Sequence, residues 1–348
     1  MVRSWLPVLL AVGCACGGWH VAAREALAET VWNHAERVIQ LGRSGSRQRS
    51  PVMTAVAIAP EGDRVATAGD DHHVRIWSLN NGQMMADFRG HADWIRAASF
   101  SPDGRLLATA GDDRRVRLWD TASRTSHDRF SAHTAPIYAL AFSADASLLA
   151  AADFDGMVRV YTLAGGGSVQ TLVGPGKDLR AICFSDDGTQ LAAAGRDGVI
   201  RIWEMPTAQM SLDIAAHPRR IRAATFSPDG SRILTAGDDG TLRVHSALDG
   251  TEQLALGNRR GSIRSLSFYG IETIAAGGTD NMIELWDLNT GSRIGRLEGH
   301  RGTVAVLDGQ TSAGMLVSGS FDTTVRVWSP SDVATENTAR NPSEAAAR

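Results

Sequence analysis

One sequence feature constrains this chain more than any other: an aromatic slot that returns at a fixed interval. Trp77, Trp119, Tyr161, Trp203, His245, Trp286 and Trp328 are separated by 42, 42, 42, 42, 41 and 42 residues. Repeats of this length, each too small to bury its own apolar face, must stack on their neighbours. A period in this range is the mark of a propeller with four short strands per blade. Six residues before each slot stands an acid: Asp71, Asp113, Asp155, Asp197, Asp239, Asp280 and Asp322. The acid persists even where the tryptophan is replaced.

The clearest unit runs from His91 to Asp120. Its first alternating run ends in the turn Ser101-Pro102-Asp103-Gly104, and equivalent turns stand at 185–188 and 227–230. Proline fixes φ at the second turn position and glycine accepts positive φ at the fourth. The first run of each unit alternates apolar and small residues with Phe and β-branched types, as half-buried strands do. A second and a third strand follow, and a more exposed fourth. The last unit ends soon after Trp328 without a fourth strand. The run Arg37-Val38-Ile39-Gln40-Leu41-Gly42 resembles the fourth strands at Met84–Gly90 and Arg293–Gly299. It is expected to complete the seventh blade from the other end of the chain, which removes the exposed edges of an open sheet.

With these repeats the chain resembles the WD40 repeat family over residues 35–329. The resemblance implies an all-β fold: a single seven-bladed propeller of four antiparallel strands per blade, closed by an N-terminal strand. It also implies a structural hydrogen-bond set of His, Ser or Thr, Asp and Trp within a blade. Blade two matches in full with His91, Thr109, Asp113 and Trp119, and blade seven with His300, Ser318, Asp322 and Trp328. Blade five has His217, Thr235 and Asp239, with His245 in the tryptophan slot. Blade three has His133 and Asp155, with Ala151 and Tyr161. Blades four and six keep Asp197 with Trp203 and Asp280 with Trp286. Blade one has Thr67, Asp71 and Trp77 without a histidine.

On paper the His, Thr and Asp set looks like a hydrolase triad. Its recurrence in several blades suits a fold staple instead. No Gly-x-Ser-x-Gly elbow or phosphate loop accompanies it. The chain is therefore expected to be non-enzymatic, with no cofactor and no metal. Asp70-Asp71-His72-His73 reads as a solvated turn.

Residues 1–23 read as a signal-peptide-like leader. Arg3 precedes an apolar stretch from Trp5 to Cys16, too short for a membrane helix, and Val21-Ala22-Ala23 offers a cleavage site. Ala11-Val12-Gly13-Cys14 resembles a lipoprotein box. Export, to the periplasm, the exterior or a lipid anchor, is accordingly expected over a cytoplasmic location. Residues 24–34 read as a short amphipathic helix or linker, with Leu27 and Val31 on one face. Residues 330–348 read as a disordered polar tail. Three cysteines, Cys14, Cys16 and Cys183, make no disulfide framework.

Family propellers bind partners on the face that carries the inter-blade loops. Near the start of each innermost strand stand Thr54, Arg96, Tyr138, Arg180, Arg222, Arg264 and Ala305. Just before each turn acid stand Asp70, Asp112, Phe154, Arg196, Asp238, Thr279 and Phe321. Arg96 with Asp112 and Arg222 with Asp238 form expected pairs. Blade four sets Arg180 beside Arg196, and blade six sets Arg264 beside Thr279, with no acid in this pattern. Lys177, Arg219, Arg220, Arg259, Arg260 and Arg301 add to a basic sector over blades four to seven. Trp94, Pro136, Tyr138, Phe154 and Phe321 supply apolar anchors. Arg and aromatic side chains are enriched at binding hot spots.

This pattern predicts a monomeric interaction scaffold for protein or peptide partners, acidic or phosphorylated ones in particular. Membrane contact is expected only through the leader. Two other functions fit a propeller. One is the regulatory or substrate-recruiting part of a larger bacterial-type kinase or NTPase, a domain not expected on the 34 residues ahead of the ring. The other is nucleic-acid binding. A net charge of -3 and the lack of base-stacking motifs argue against it.

Overall fold

A computed structural model describes residues 30–32, 35, 37–40, 51–127, 130, 133–164, 169–257, 261–310 and 314–329. The leader at 1–23, with Cys14 and Cys16, the tail at 330–348, and Arg259 and Arg260 lie outside the described residues. The rest forms seven sheets of four antiparallel strands, one of which gains a fifth, parallel strand. Each innermost strand neighbours the next, and the seventh returns to the first. Among the described residues no helix is long and apolar enough to cross a membrane.

Blade two shows how a unit is built. Its strands are Ile95–Phe100, Leu106–Gly111, Val116–Asp120 and Ser126–His127, from the channel outward. The Ser101 hydroxyl donates to Asp103 at 2.6 Å and accepts the Leu106 amide at 2.9 Å, which fixes the turn. The second strand is small and apolar, Leu-Leu-Ala-Thr-Ala-Gly, and buried along all but its first residue. It lies between two neighbouring sheets, so it does not alternate in the way a half-buried strand would. Its last residue must be small. A Cβ on Gly111 would stand 1.9 Å from the Trp94 carbonyl, which accepts the Asp112 amide at 2.8 Å.

The core is divided as the blades are. Seven buried clusters each combine side chains of two adjacent sheets. Trp119 of blade two is 3% exposed and packs on Phe88 of blade one, with ring centroids 5.1 Å apart. Every side chain in these layers counts, because burying one Leu or Ile contributes about 1.5–3 kcal/mol.

The seventh blade closes as expected. Arg37–Gln40 pairs antiparallel with Thr324–Trp328, from Arg37 beside Val327 to Gln40 beside Thr324. Ile39 enters the cluster shared by blades seven and one. Of the stretch 24–34, expected as a short helix or linker, the structure describes residues 30–32. Thr30–Trp32 is a strand, parallel to Ser292–Leu297 of blade six. A β-branched pair followed by tryptophan suits an extended chain, and the outer strand of a blade offers an unpaired edge.

Candidate partner-binding face

The hydrogen-bond sets lie between the channel face and the blade interior. In blade two the His91 Nδ1–H donates to Asp113 at 2.8 Å, and Nε2 stands 2.8 Å from the Thr109 hydroxyl. The Trp119 Nε1–H donates to that hydroxyl oxygen at 2.7 Å. With Nε2 accepting the hydroxyl proton, the chain of donors and acceptors is complete. Blade seven repeats it: His300 to Asp322 at 3.0 Å, His300 to Ser318 at 2.7 Å, and Trp328 to Ser318 at 2.8 Å. Burial pushes the Asp113 and Asp322 carboxyls up. The bonds from His91 and His300 and from nearby amides outweigh it and hold both below the ordinary carboxylate value. Thr109 and Ser318 are 0% exposed, so neither hydroxyl offers a substrate a line of approach.

Blades three and one complete their networks by other routes. In blade three the acid is Asp153, not Asp155. Its Oδ2 accepts from His133 Nδ1 at 2.9 Å and its Oδ1 from the Met157 amide at 2.9 Å, while Asp155 is exposed. Ala151 carries no hydroxyl, and the longer Tyr161 brings its own to 2.9 Å from His133 Nε2. In blade one Arg75 donates to Asp71 at 2.7 Å, in the role histidine has elsewhere, and Trp77 donates to Thr67 at 2.9 Å. This corrects the solvated-turn reading of Asp70-Asp71-His72-His73. Asp70 is 3% exposed and accepts the Val52 amide at 2.8 Å. Blade five holds His217 2.9 Å from Asp239 and 2.9 Å from Thr235. Among the described residues the buried Nδ1 of its His245 meets no partner.

The face with the inter-blade loops carries the expected binding residues. Thr54, Arg96, Tyr138, Arg180, Arg222, Arg264 and Ala305 all line one central cavity of about 260 Å³. Arg96 grips Asp112 through Nε at 3.1 Å and Nη2 at 2.7 Å, and Arg222 holds Asp238 at 2.8 and 3.0 Å. The Arg96 guanidinium also lies 4.6 Å from the Trp94 ring and 5.8 Å from that of Tyr138. Arg180 stacks on Tyr138 at 3.6 Å, and Phe154 meets Tyr138 edge-on at 6.3 Å. Trp94, Phe154 and Phe321 keep 38%, 37% and 47% of their surface exposed. Lys177, Arg196, Arg219 and Arg301 are exposed.

Arg180 is not the free cation that blade four's pattern suggests. Its Nε donates to Asp178 at 2.6 Å, and the same carboxylate takes Arg220 at 2.8 Å. Asp178 belongs to a third periodic position, two residues before the channel residue, with Val52, Trp94, Pro136, Arg220, Ser262 and Thr303. Attention to two periodic positions misses it, although the same 42-residue interval marks it. Arg264 differs from the others. Among the described residues no acid lies within ion-pair distance, and its buried Nε has no hydrogen-bond partner. Burial and the charges of Arg222, Arg180 and Arg220 lower its pKa, and Asp238 opposes them.

Among the described residues no group of three His, Cys, Asp or Glu side chains stands close enough to hold a metal. Burial pushes the half-buried Cys183 thiol up to about 12, so it stays protonated at neutral pH.

Comparison with known proteins gives short but consistent likenesses. A segment of 59 residues is 46% identical to the Periodic tryptophan protein 2 homolog of Neurospora crassa, covering 17% of this chain and 7% of that protein. Another of 80 residues is 38% identical to Nuclear distribution protein PAC1-1 of Uncinocarpus reesii, covering 22% and 18%. A third of 56 residues is 43% identical to Mitochondrial division protein 1 of Pyricularia oryzae, covering 16% and 8%. The chain thus spans less than a fifth of the length of each of these relatives. The profile of the WD domain, G-beta repeat family matches residues 42–78, 82–120, 124–162, 166–204, 209–246 and 291–329. It passes over 247–290, the stretch in which Arg259 and Ala276 stand in the histidine and hydroxyl slots. With more than half of its residues matched and seven blades in its ring, the chain belongs to the WD40 repeat family.

Proposed function

We propose that this propeller is a non-enzymatic scaffold that docks acidic or phosphorylated peptide segments of protein partners on the channel-mouth face. The observation that carries this reading is the composition of that mouth. Exposed aromatics stand beside a stack of Trp94, Arg96, Tyr138 and Arg180, with exposed Lys177 and Arg196 next to it. Aromatic faces give contact area at low entropic cost, and guanidiniums match carboxylate or phosphate in a fork. The rim charges act mainly on encounter rate and on the choice among partners.

The test must spare the arginines that hold blades together. Phe321→Ala with Lys177→Glu and Arg196→Glu alters the rim alone. Binding of an acidic or phosphorylated peptide set, measured by fluorescence anisotropy at two salt concentrations, should weaken by about tenfold or more. Its salt dependence should shrink as well. Unchanged affinity with an unchanged melting temperature removes this reading.

A further inference from the structure

Each blade ends in an outer strand whose open side shows N–H and C=O groups, a template for a further strand. The molecule itself uses one such edge. Thr30–Trp32 lies parallel on Ser292–Leu297 of blade six, with Thr30 beside Gly295 and Trp32 beside Leu297. Five of the other six edges are guarded. Met84–Arg89 of blade one carries Asp87 and Arg89. Blade two offers two residues, Ser126–His127. Gln209–Ala215 of blade four carries Asp213, held by Arg201 at 2.6 Å. Glu252–Leu256 of blade five opens on Glu252, held by Arg243 at 2.9 Å. Arg37–Gln40 of blade seven opens on an arginine. Charge and short length both discourage pairing at a sheet edge.

Blade three has neither guard. Its outer strand, Val169–Val173, reads Val-Gln-Thr-Leu-Val, with no charge, no proline and no glycine. It lies in 160–176, the longest stretch of residues 35–329 without Asp, Glu, Lys or Arg. Among the described residues no strand lies beyond it in its sheet. Leu172 is 7% exposed and anchors the strand in the core shared by blades three and four, while Val169 and Val173 keep 43% and 65% of their surface exposed. Charge decides what suits this edge. A strand of either sign gains nothing here, since the edge has no charge to match. A neutral, β-branched strand of equal length suits it, and the chain's own Val169–Val173 is one. A second copy related by a twofold axis would lie antiparallel, centred on Thr171. Val169 of each copy then faces Val173 of the other, and the two Thr171 side chains meet. β-Branched and Thr–Thr pairs are favourable across strands. The charge beside the centre, on Arg159 opposite Thr171, would stand three strand spacings, about 14 Å, from its counterpart, where salt screens it.

We propose that the outer strand of blade three is a dimerisation edge, where two copies of this chain join Val169–Val173 antiparallel. The two blades then form one continuous sheet, four strands from each copy. The contact is isologous, so it uses up both edges and closes without building filaments. This replaces the monomer expected from the sequence, and it is independent of the docking reading, which concerns the channel mouth.

Sedimentation velocity of the purified full chain over a range of concentrations tests it. The wild type should pass from monomer to dimer as concentration rises. Val169→Lys with Val173→Lys sets lysine against lysine twice, and should raise the dimer Kd at least about tenfold. Val169→Lys with Val173→Glu sets each lysine against a glutamate of the other copy, and should restore most of the affinity. Both positions are exposed and stand opposite the uncharged Tyr161 and Met157, so both variants should keep the circular dichroism of the wild type. Hydrogen exchange gives a second reading on the unaltered chain: amides of Val169–Val173 should exchange more slowly as concentration rises. A wild type that stays monomeric, as it would if an extended segment of another protein were the occupant, overturns the proposal. So does a dimer indifferent to the two lysines, or a lysine–glutamate variant that pairs no better than the lysine–lysine one. Edge-strand exchange that does not change with concentration overturns it as well.

Discussion

Thr109 serves two buried groups through one hydroxyl: it gives a proton to His91 Nε2 and accepts one from Trp119 Nε1. Thr109→Val keeps the shape and deletes both bonds, leaving two buried polar atoms without partners. Each such orphan costs about 1–3 kcal/mol. The variant should therefore lose about 2–6 kcal/mol in urea unfolding. Thr235 in blade five occupies the same slot, but His245 replaces the tryptophan, and among the described residues His217 is the one side-chain partner of the Thr235 hydroxyl. Thr235→Val should cost about half as much. Equal losses in the two variants would mean that the indole bond contributes nothing. At this scale the staples of blades two and seven were legible in the sequence, since all four residue types of the family's network stand at the matching positions of those two blades. Blade three was not. Asp153 stands two residues before the periodic acid, and only three-dimensional reach shows that Tyr161 replaces a missing hydroxyl.

The third and fourth strands of a blade are joined by charge as well as by the ladder. In blade five Arg243 donates to Glu252 at 2.9 Å. In blade six the same two positions hold Glu284 and Arg293, which meet at 2.7 Å with the charges exchanged. Glu284 is 4% exposed, so its charge is costly if the partner is lost. Glu284→Arg should destabilise by about 3 kcal/mol or more, placing two cations together. Adding Arg293→Glu should restore most of that loss, because the pair then has the order blade five already uses. Calorimetric melting of the single and double variants reads the coupling directly. No recovery in the double variant would show that other neighbours, and not this pair, decide the choice. The exchange is visible in the aligned repeats. The strand Thr30–Trp32 beyond it is not, because three residues carry too short a pattern to distinguish a strand from a helical turn.

The ring as a whole is fastened in two ways. From blade two to blade five the channel level is bridged by guanidiniums, through Arg96 and Arg180 on Tyr138 and through Arg220 on Asp178. Around the closure the innermost strands use side chain to backbone bonds instead. Ser265 accepts the Leu307 amide at 2.7 Å, Thr54 donates to the Ile95 carbonyl, and Asp308 accepts the Ile58 amide at 2.6 Å. The periodicity located the channel residues but not this division of labour, which depends on contacts between repeats. Asp308 is its weak point. Burial pushes its carboxyl up to about 6, against the pull of the Ile58 and Gly309 amides. The folded state thus holds this proton more tightly than the unfolded chain does. Its contribution to stability is fullest below the unfolded carboxylate value near 4 and is lost as pH rises through about 6. His133, His217 and His245 act in the opposite sense. Burial lowers their pKa values, so stability falls as acid protonates the unfolded imidazoles below about 6.5. Asp308→Asn keeps an oxygen for the Ile58 amide and removes the titration. At pH 8 it should be more stable than the wild type by up to about 3 kcal/mol, from a shift of roughly two pKa units. At pH 4 the two should nearly coincide. Unfolding curves at the two pH values separate this from a packing effect, which would shift both equally. A constant difference across pH would place the cost of Asp308 in shape and not in charge.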